Sequence, residues 1–513
     1  MKALQQRAAD LKAEAQRLHK QVFEPASIAP KVTTPRADLQ AQSSKLTSLE
    51  EAIRRSGLKD GMTVSFHHHF RGGDKVVNLV VDKLAEMGFR NLHLAASSLT
   101  DVHAPLIEHI RNGVISRIST SGLRGELARE VSMGLMDEPV IFRSHGARGA
   151  AIANGELHID VAFLGASSAD PLGNACGYSR SENAKSICGS LGYALPDAQY
   201  ADKVVILTDD LVPYPNTPNA ISEHHVDSVV KVDSVGDSSK ISSGAIRDTK
   251  NPRDILLAKQ AAKVVVASGY FKPGFSIQTG SGGASLAVVK YLRESMIRDN
   301  VKASFALGGI TAHMVRLHEE GLIERLVDVQ SFDKVAAESL KADAMHKEVS
   351  ACEYASPEEP GSATHYLDVV ILSALEADIH FNVNVLVGSD GIIRGAIGGH
   401  PDTAADSALS IVVCPLLRGR IPCVVEEVTT LITPGATVDV IVTEYGIAVN
   451  PRRPELRERL LAARLPVVEI EWLRDKALSI IGQPAALPFG EKTVGVVLAR
   501  DGSVQDIIKA IQP

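Results

Sequence analysis

Cysteine is scarce and unpaired in this 513-residue chain. The five cysteines, Cys176, Cys188, Cys352, Cys414 and Cys423, are odd in number and form no C-x-x-C motif. That excludes a disulfide framework and reads as reduced core cysteine in a cytosolic protein. Excess basic charge is missing too: 54 Lys and Arg face 61 Asp and Glu, for a net charge of −7. A nucleic-acid or polybasic membrane role is thereby excluded. An anionic substrate must then be held by a few placed arginines or by backbone N–H groups. No apolar run reaches transmembrane length. Met1 to Lys20, thick with Lys, Arg, Glu and Gln, lacks a secretory pattern. The expected compartment is the cytoplasm.

What is present points to a large enzyme. The length fits two domains with an appendage, and 45% apolar residues supply the cores. Residues 2–20 read as a helix with Leu4, Ala8, Leu11, Ala15 and Leu18 on one stripe. It packs either on its own domain or on a partner subunit. Pro25 to Pro35 then breaks the pattern as a linker.

The body carries a duplication. From Val64 the chain runs VSFHHHFRGGDKVVNLVVDKLAEMGFRNLHLAASSL, and from Phe275 it runs FSIQTGSGGASLAVVKYLRESMIRDNVKASFALGGI. Each reads as an apolar strand, a loop ending in Gly-Gly, an N-cap (Asp74; Ser285 or Ala284), a helix and a second strand. Val77, Val80, Val81, Leu84 and Met87 share one helical face, with Gly88 at the C′ position. Leu286, Val289, Leu292 and Met296 repeat that face in the copy. The phrase from Asp160, DVAFLGASSADPLGNACGY, likewise parallels DVVILSALEADIHFNVNVL from Asp368. Strand cores at Val204–Leu207 and Val438–Val442 extend the count. Strands alternating with helices imply α/β domains with open, mostly parallel sheets. The expected division is an N-terminal helical segment and linker over 1–45, a first α/β domain over 46–250 and a second over 251–513. A site belongs at or between their strand ends.

Four Gly-Gly pairs stand out: Gly72-Gly73, Gly282-Gly283, Gly308-Gly309 and Gly398-Gly399. Glycine lets backbone approach a ligand, and a following helix offers free N–H donors; paired glycines equally make tight strand-to-helix turns. None has dinucleotide or Walker spacing, which removes NAD and ATP. In GAIGGHPDTA, Gly398, Gly399 and His400 could aim N–H groups at an oxyanion, with Asp402 or Thr403 capping the next helix. Upstream, EADIHFNVNV puts Glu376, Asp378, Asn382 and Asn384 at a strand end and loop. His67, His68 and His69 alternate in direction along a strand, so at most two share a site. They read as a polar loop at the site mouth, and no metal is expected. No G-x-S-x-G elbow is present. Carboxylate chemistry or direct attack of one substrate on the other remains.

The phrases EEAIRRSGLKDGMTVSFHHHFRGGD, SGLRGELA, IDVAFLGAS, ASGYFKPGFSIQTGSGGASLAV, FALGGITAHMV and ALEADIHFNVNVLVGSDGIIRGAIGGHPDTA resemble the citrate lyase alpha subunit family over residues 45–513. The resemblance implies the fold of class I CoA transferases, with both halves fused in one chain. It further implies a transferase that replaces acetyl by citryl on the thiol of an acyl-carrier (gamma) subunit, releasing acetate. A lyase (beta) subunit then cleaves the citryl thioester to oxaloacetate. The CoA-type prosthetic group is the carrier's, free acetyl-CoA can stand in for it, and this chain holds no cofactor tightly. A homo-oligomer within the complex is expected.

One departure bears on mechanism. Where related transferases place a Glu nucleophile, in a phrase like Leu-Gly-Ile-His-Thr-Glu-Met, this chain reads LGGITAHM, with His313 at the Glu position. A citrate carboxylate attacking the acetyl thioester directly, through a citric–acetic mixed anhydride, fits that change. Glu376 is the substitute nucleophile to test. The catalytic candidates are therefore Gly398, Gly399, His400 and Glu376. The binding candidates are Arg71, Gly72, Gly73, Gly280, Gly282, Gly283, His313, Asn382, Asn384 and Arg394, with Arg124 a further carboxylate ligand. The alternatives are a stand-alone CoA transferase or hydrolase using a protein Glu, and a non-catalytic sensor or scaffold.

Overall fold

A computed structural model describes residues 2–18, 44–182, 184–242, 250–280 and 283–512. It contains two compact units, Met1–Ser44 and Lys45–Pro513. In the first, the expected N-terminal helix spans Lys2–Arg17, with Arg17 on Glu14 one turn back. The linker Pro25 to Pro35 lies outside the described residues. Among the described residues no helix is long and apolar enough to cross a membrane.

The second unit holds two large sheets whose shared topology makes the duplication explicit. In the first sheet, the strands Val140–Phe142, Ile115–Thr120, Leu92–Ala96, Thr63–Phe66, Val161–Ala166, Lys203–Thr208 and Ser228–Lys231 lie side by side and parallel. In the second, His346–Glu348, Leu326–Ser331, Ala303–Ile310, Phe275–Thr279, Val369–Ser373, Leu409–Val413 and Val440–Val442 repeat the same order, also parallel. Both run 4-3-2-1-5-6-7 in chain order. The order reverses between strands 1 and 5, and the crevice beyond such a switch point is where open α/β sheets bind ligands.

Side-chain details repeat as well. Asp160 accepts the backbone N–H of Thr63 at 2.7 Å, and Asp368 accepts that of Ser276 at 2.9 Å, each locking strand 5 to the start of strand 1. The helix after strand 1, Val76–Glu86, buries Val77, Val80, Val81 and Leu84, and Gly88 takes φ +88° just beyond it. Its copy, Gly283–Asp299, buries Leu286, Val289, Leu292 and Met296. That helix already contains Ala284 and Ser285, so neither is its N-cap. Asp74 sits one residue before the N-cap Lys75 and accepts the N–H of Val77 at 3.2 Å.

Each sheet adds strands at its edges. The second gains Ile447–Val449, antiparallel, and Val467–Val468. The first gains Leu46–Thr47 at one edge and a C-terminal hairpin, Phe489–Leu498 and Val504–Ile511, at the other. The hairpin belongs by sequence to the half after residue 250. It nevertheless pairs with Val140–Phe142 of the first sheet.

Candidate active site

The strand ends of the two sheets meet around a group of rings. His67 and His69 point to the same side and stack on each other, with centroids 5.4 Å apart, while His68 turns the other way. The alternation of a strand thus carries on past its last residue, Phe66. The three residues do lie in the loop just past the strand end at Phe66, but all are buried. The chain beyond Phe66 is no longer part of the sheet and stays buried. His68 places Nδ1 2.6 Å from the Ser97 hydroxyl, and its carbonyl oxygen accepts from Gln330 of the second sheet at 2.9 Å. It stacks on Tyr193 at 5.4 Å, and Tyr193 in turn meets His145 at 4.1 Å. Burial drives the imidazoles towards neutrality. His67 and His68 fall well below their ordinary value, His69 to about 4 and His145 to about 3.

Arg71 reaches this group from the loop after strand 1. It takes φ +51°, a left-handed conformation that costs a non-glycine residue about 1–2 kcal/mol. Its guanidinium lies 4.6 Å from the centroid of Phe332, the residue just past the strand Leu326–Ser331 of the second sheet. Burial, aided by the charge of Arg124, pulls it down to about 10. Gly73 has a packing reason: a Cβ there would sit 2.2 Å from the Asp237 carbonyl oxygen. Gly72 is less confined, at 3.7 Å from that of Lys240. Gly309 is needed likewise, since its Cβ would meet the Phe332 ring at 2.1 Å.

The segment GAIGGH crosses from one sheet to the other. Leu123 N–H donates to Gly395 and Ile397 N–H to Ser121, at 3.1 and 2.7 Å, so the loop pairs with the SGLRG turn. Gly398, at φ +57°, accepts the His145 N–H at 3.0 Å. Gly399 lies against Tyr354, where a Cβ would come within 2.5 Å of the phenol oxygen. Among the described residues, neither the Gly398 nor the Gly399 N–H meets a protein acceptor. His400 is spoken for: Nδ1 meets Thr433 Oγ1 at 2.6 Å and Nε2 the Ser373 carbonyl oxygen at 3.1 Å, and burial lowers it to about 4. Asp402 does not cap its own helix. It accepts from Ser144 Oγ at 2.6 Å and Gly146 N–H at 2.9 Å, at the start of the helix His145–Ala153.

Other sequence candidates lie in supporting structure. The Glu376 carboxylate accepts from Asn384 Nδ2 and Thr429 N–H, both at 2.9 Å, and from Thr429 Oγ1 at 3.1 Å. Asn384 also accepts from Leu386 and Val387. Asn382 donates to Asp378 at 3.1 Å and accepts from Gly435. The first half repeats this loop with Asn174 on Asp170 at 2.8 Å, which gives Asn382 an architectural role. Gly280 N–H donates to Ile371, Gly283 opens the copied helix, and Gly282 lies outside the described residues. His313 is the second residue of the helix Ala312–Glu319 after strand 2. Arg394 is paired with Asp390, and together with Arg124 and Arg129 it lines a cavity of about 620 Å³. His145, Tyr193, Gln330 and Phe332, which the structure brings beside His68 and Arg71, carry no motif in the sequence. Only the His triplet carried a signal.

The citrate lyase alpha subunit family model matches residues 43–511. The chain belongs to that family. It is 58% identical to the citrate lyase alpha chain of Escherichia coli (strain K12) over 483 residues, covering 93% of this chain and 94% of that one. Among solved structures it is similar to the citrate lyase alpha subunit of Streptococcus mutans in complex with citrate. The TM-score is 0.89 at 53% identity, over 92% of each chain. The malonate decarboxylase alpha subunit of Acinetobacter baumannii has a TM-score of 0.63 at 15% identity, over 86% of this chain and 89% of that one. That likeness shows the fold alone. With this family assignment, the duplicated α/β sheets are those of a transferase component of citrate lyase.

Proposed function

We propose that the chain moves the thiol of an acyl-carrier subunit from an acetyl thioester to citrate, giving citryl thioester and acetate. The observation that carries the reading is the pair of N–H donors at Gly398 and Gly399, which meet no protein acceptor among the described residues and lie beside His145, near the buried imidazole–tyrosine stack. Donors aimed at a tetrahedral oxyanion are typically worth about 3 kcal/mol each. A citrate carboxylate oxygen attacks the acetyl carbonyl carbon, forming the mixed anhydride and releasing thiolate. The thiolate then attacks the citryl carbonyl carbon, and acetate leaves with the bridging oxygen. No proton is lost or gained overall.

Within this scheme Arg71 holds a second citrate carboxylate. The neutral imidazoles of His68 and His145 line the pocket without adding charge that would trap the anions. Glu376 is an unsuitable nucleophile because its carboxylate is already held by three donors. His313 replaces the usual Glu at the strand-2 turn. Two loaded substrates held in reacting distance gain the large effective molarity of an intramolecular step. The thiol partner carries the CoA-type group, a separate lyase subunit consumes the citryl thioester, and this chain supplies no cofactor. Acetate release from acetyl-CoA or acetylated carrier tests the reading. Release should require citrate, and release that ignores citrate would refute it.

A further inference from the structure

The Asp402 carboxylate is fully buried and has three partners from two other parts of the chain. Ser144 Oγ and Gly146 N–H donate to its two oxygens, and Arg500 Nε approaches to 3.3 Å. Arg500 also grips Asp406, one helical turn on, with two bonds of 2.7 Å. It sits in the turn of the C-terminal hairpin. That hairpin pairs through Gly495–Val497 with Val140–Phe142, the strand that runs straight into Ser144 and His145. Gly146 is required here as well, since a Cβ would meet the Ala355 carbonyl oxygen at 2.0 Å. The first turn of the His145 helix is therefore fixed from three sides: by its own strand, by Asp402, and by the hairpin acting through Arg500.

We infer that Asp402 is a positioning residue for the acyl-transfer site: it sets the start of the helix that places His145 against Tyr193 and Gly398, with Arg500 holding Asp402 in turn. An ionised carboxylate can accept from both donors at once, whereas an amide of the same shape must turn an NH₂ towards one of them. The inference rests on the reading that His145 faces the reacting thioester.

The test uses the full-length chain with acetyl-CoA and citrate. Asp402→Asn is expected to lower kcat at least tenfold, with KM for acetyl-CoA within twofold. Ser144→Ala should lower kcat less, and Ser144→Thr, which restores the hydroxyl, should recover it. In ¹⁵N-histidine-labelled protein the His145 ring resonance, assigned by its loss in His145→Gln, should shift in Asp402→Asn. Turnover per folded molecule within twofold of wild type together with an unmoved His145 resonance would overturn the inference. If Asp402→Asn does not fold, Ser144→Ala and Arg500→Lys decide the matter by the same two readouts. A wild-type chain with no citrate-dependent acetate release would instead defeat the functional reading, and the resonance would still report on the positioning.

Discussion

The backbone N–H of His145 donates to the Gly398 carbonyl oxygen at 3.0 Å, joining a helix start of the first sheet to the glycine pair of the second. That bond uses the Gly398 carbonyl and leaves the N–H groups of Gly398 and Gly399 to point elsewhere. The glycines are thus held by one polar group and available through another.

Substitution at this pair should damage turnover more than stability. Gly398→Ala keeps the N–H but forces a Cβ into φ +57°, at a cost of about 1–2 kcal/mol. Gly399→Ala drives a Cβ to 2.5 Å from the Tyr354 hydroxyl and must move the loop. Displacing one oxyanion donor is expected to cost about a hundredfold in kcat. Initial rates against acetyl-CoA at saturating citrate measure this, and unchanged kcat in both variants would remove the donors from the mechanism.

Arg71→Lys should raise the KM for citrate about tenfold or more. Lysine cannot stack on the Phe332 ring as a planar guanidinium does, nor bind a carboxylate through two N–H bonds. Acetyl-CoA KM should change little. An equal rise in both constants would place Arg71 in the scaffold.

Glu376→Gln is expected to act on stability. The side chain receives from Asn384 and Thr429, and an amide in its place sets an NH₂ against one of these donors, at about 1–3 kcal/mol. Thermal melting should drop while turnover per folded molecule stays within about threefold. A loss of more than a hundredfold in kcat with an unchanged melting temperature would restore Glu376 as the nucleophile.

Acid should destabilise the fold before it titrates ordinary carboxylates. Burial lowers His69, His93 and His400 to about 4 and His145 to about 3, with His67 and His68 also well down. Each has a folded value below the unfolded value near 6.5. Its contribution is complete above pH 6.5 and is lost as pH falls below that, at about 1.4 kcal/mol per pH unit for each net proton. Glu348, raised to about 7, and Asp402, raised to about 6, act in the opposite sense, as do the raised Asp209 and Asp439. The histidines outnumber them, so the melting temperature should be lower at pH 5 than at pH 7.5. Equal melting temperatures would mean that the imidazoles reach water.

The repeat was legible because it rests on local signals: alternating apolar runs, an apolar helical face, and Asp160 and Asp368 at equivalent places. The loop glycines were legible too, since Gly73, Gly309 and Gly399 meet neighbours that leave no room for a Cβ. Roles that depend on distant partners were not. Nothing near Asp402 in the chain indicates that it caps a helix starting at residue 145, because Ser144 and Gly146 arrive by tertiary packing. Glu376 and His400 looked available because their partners, Thr429 and Thr433, come from a later segment. Phe489 to Ile511 carried no sign that it would extend the first sheet, as an edge strand's choice of sheet is set by the edge it finds.

Isotope transfer in a single turnover tests the central claim, direct attack by citrate without a protein acyl intermediate, most directly. Enzyme in excess over acetyl thioester is mixed with citrate labelled with ¹⁸O in its carboxylates, and the released acetate is weighed by mass spectrometry. Direct attack predicts one ¹⁸O in each acetate, carried over as the bridging oxygen of the mixed anhydride. A protein carboxylate intermediate would give unlabelled acetate in the first turnover, and that result would contradict the account.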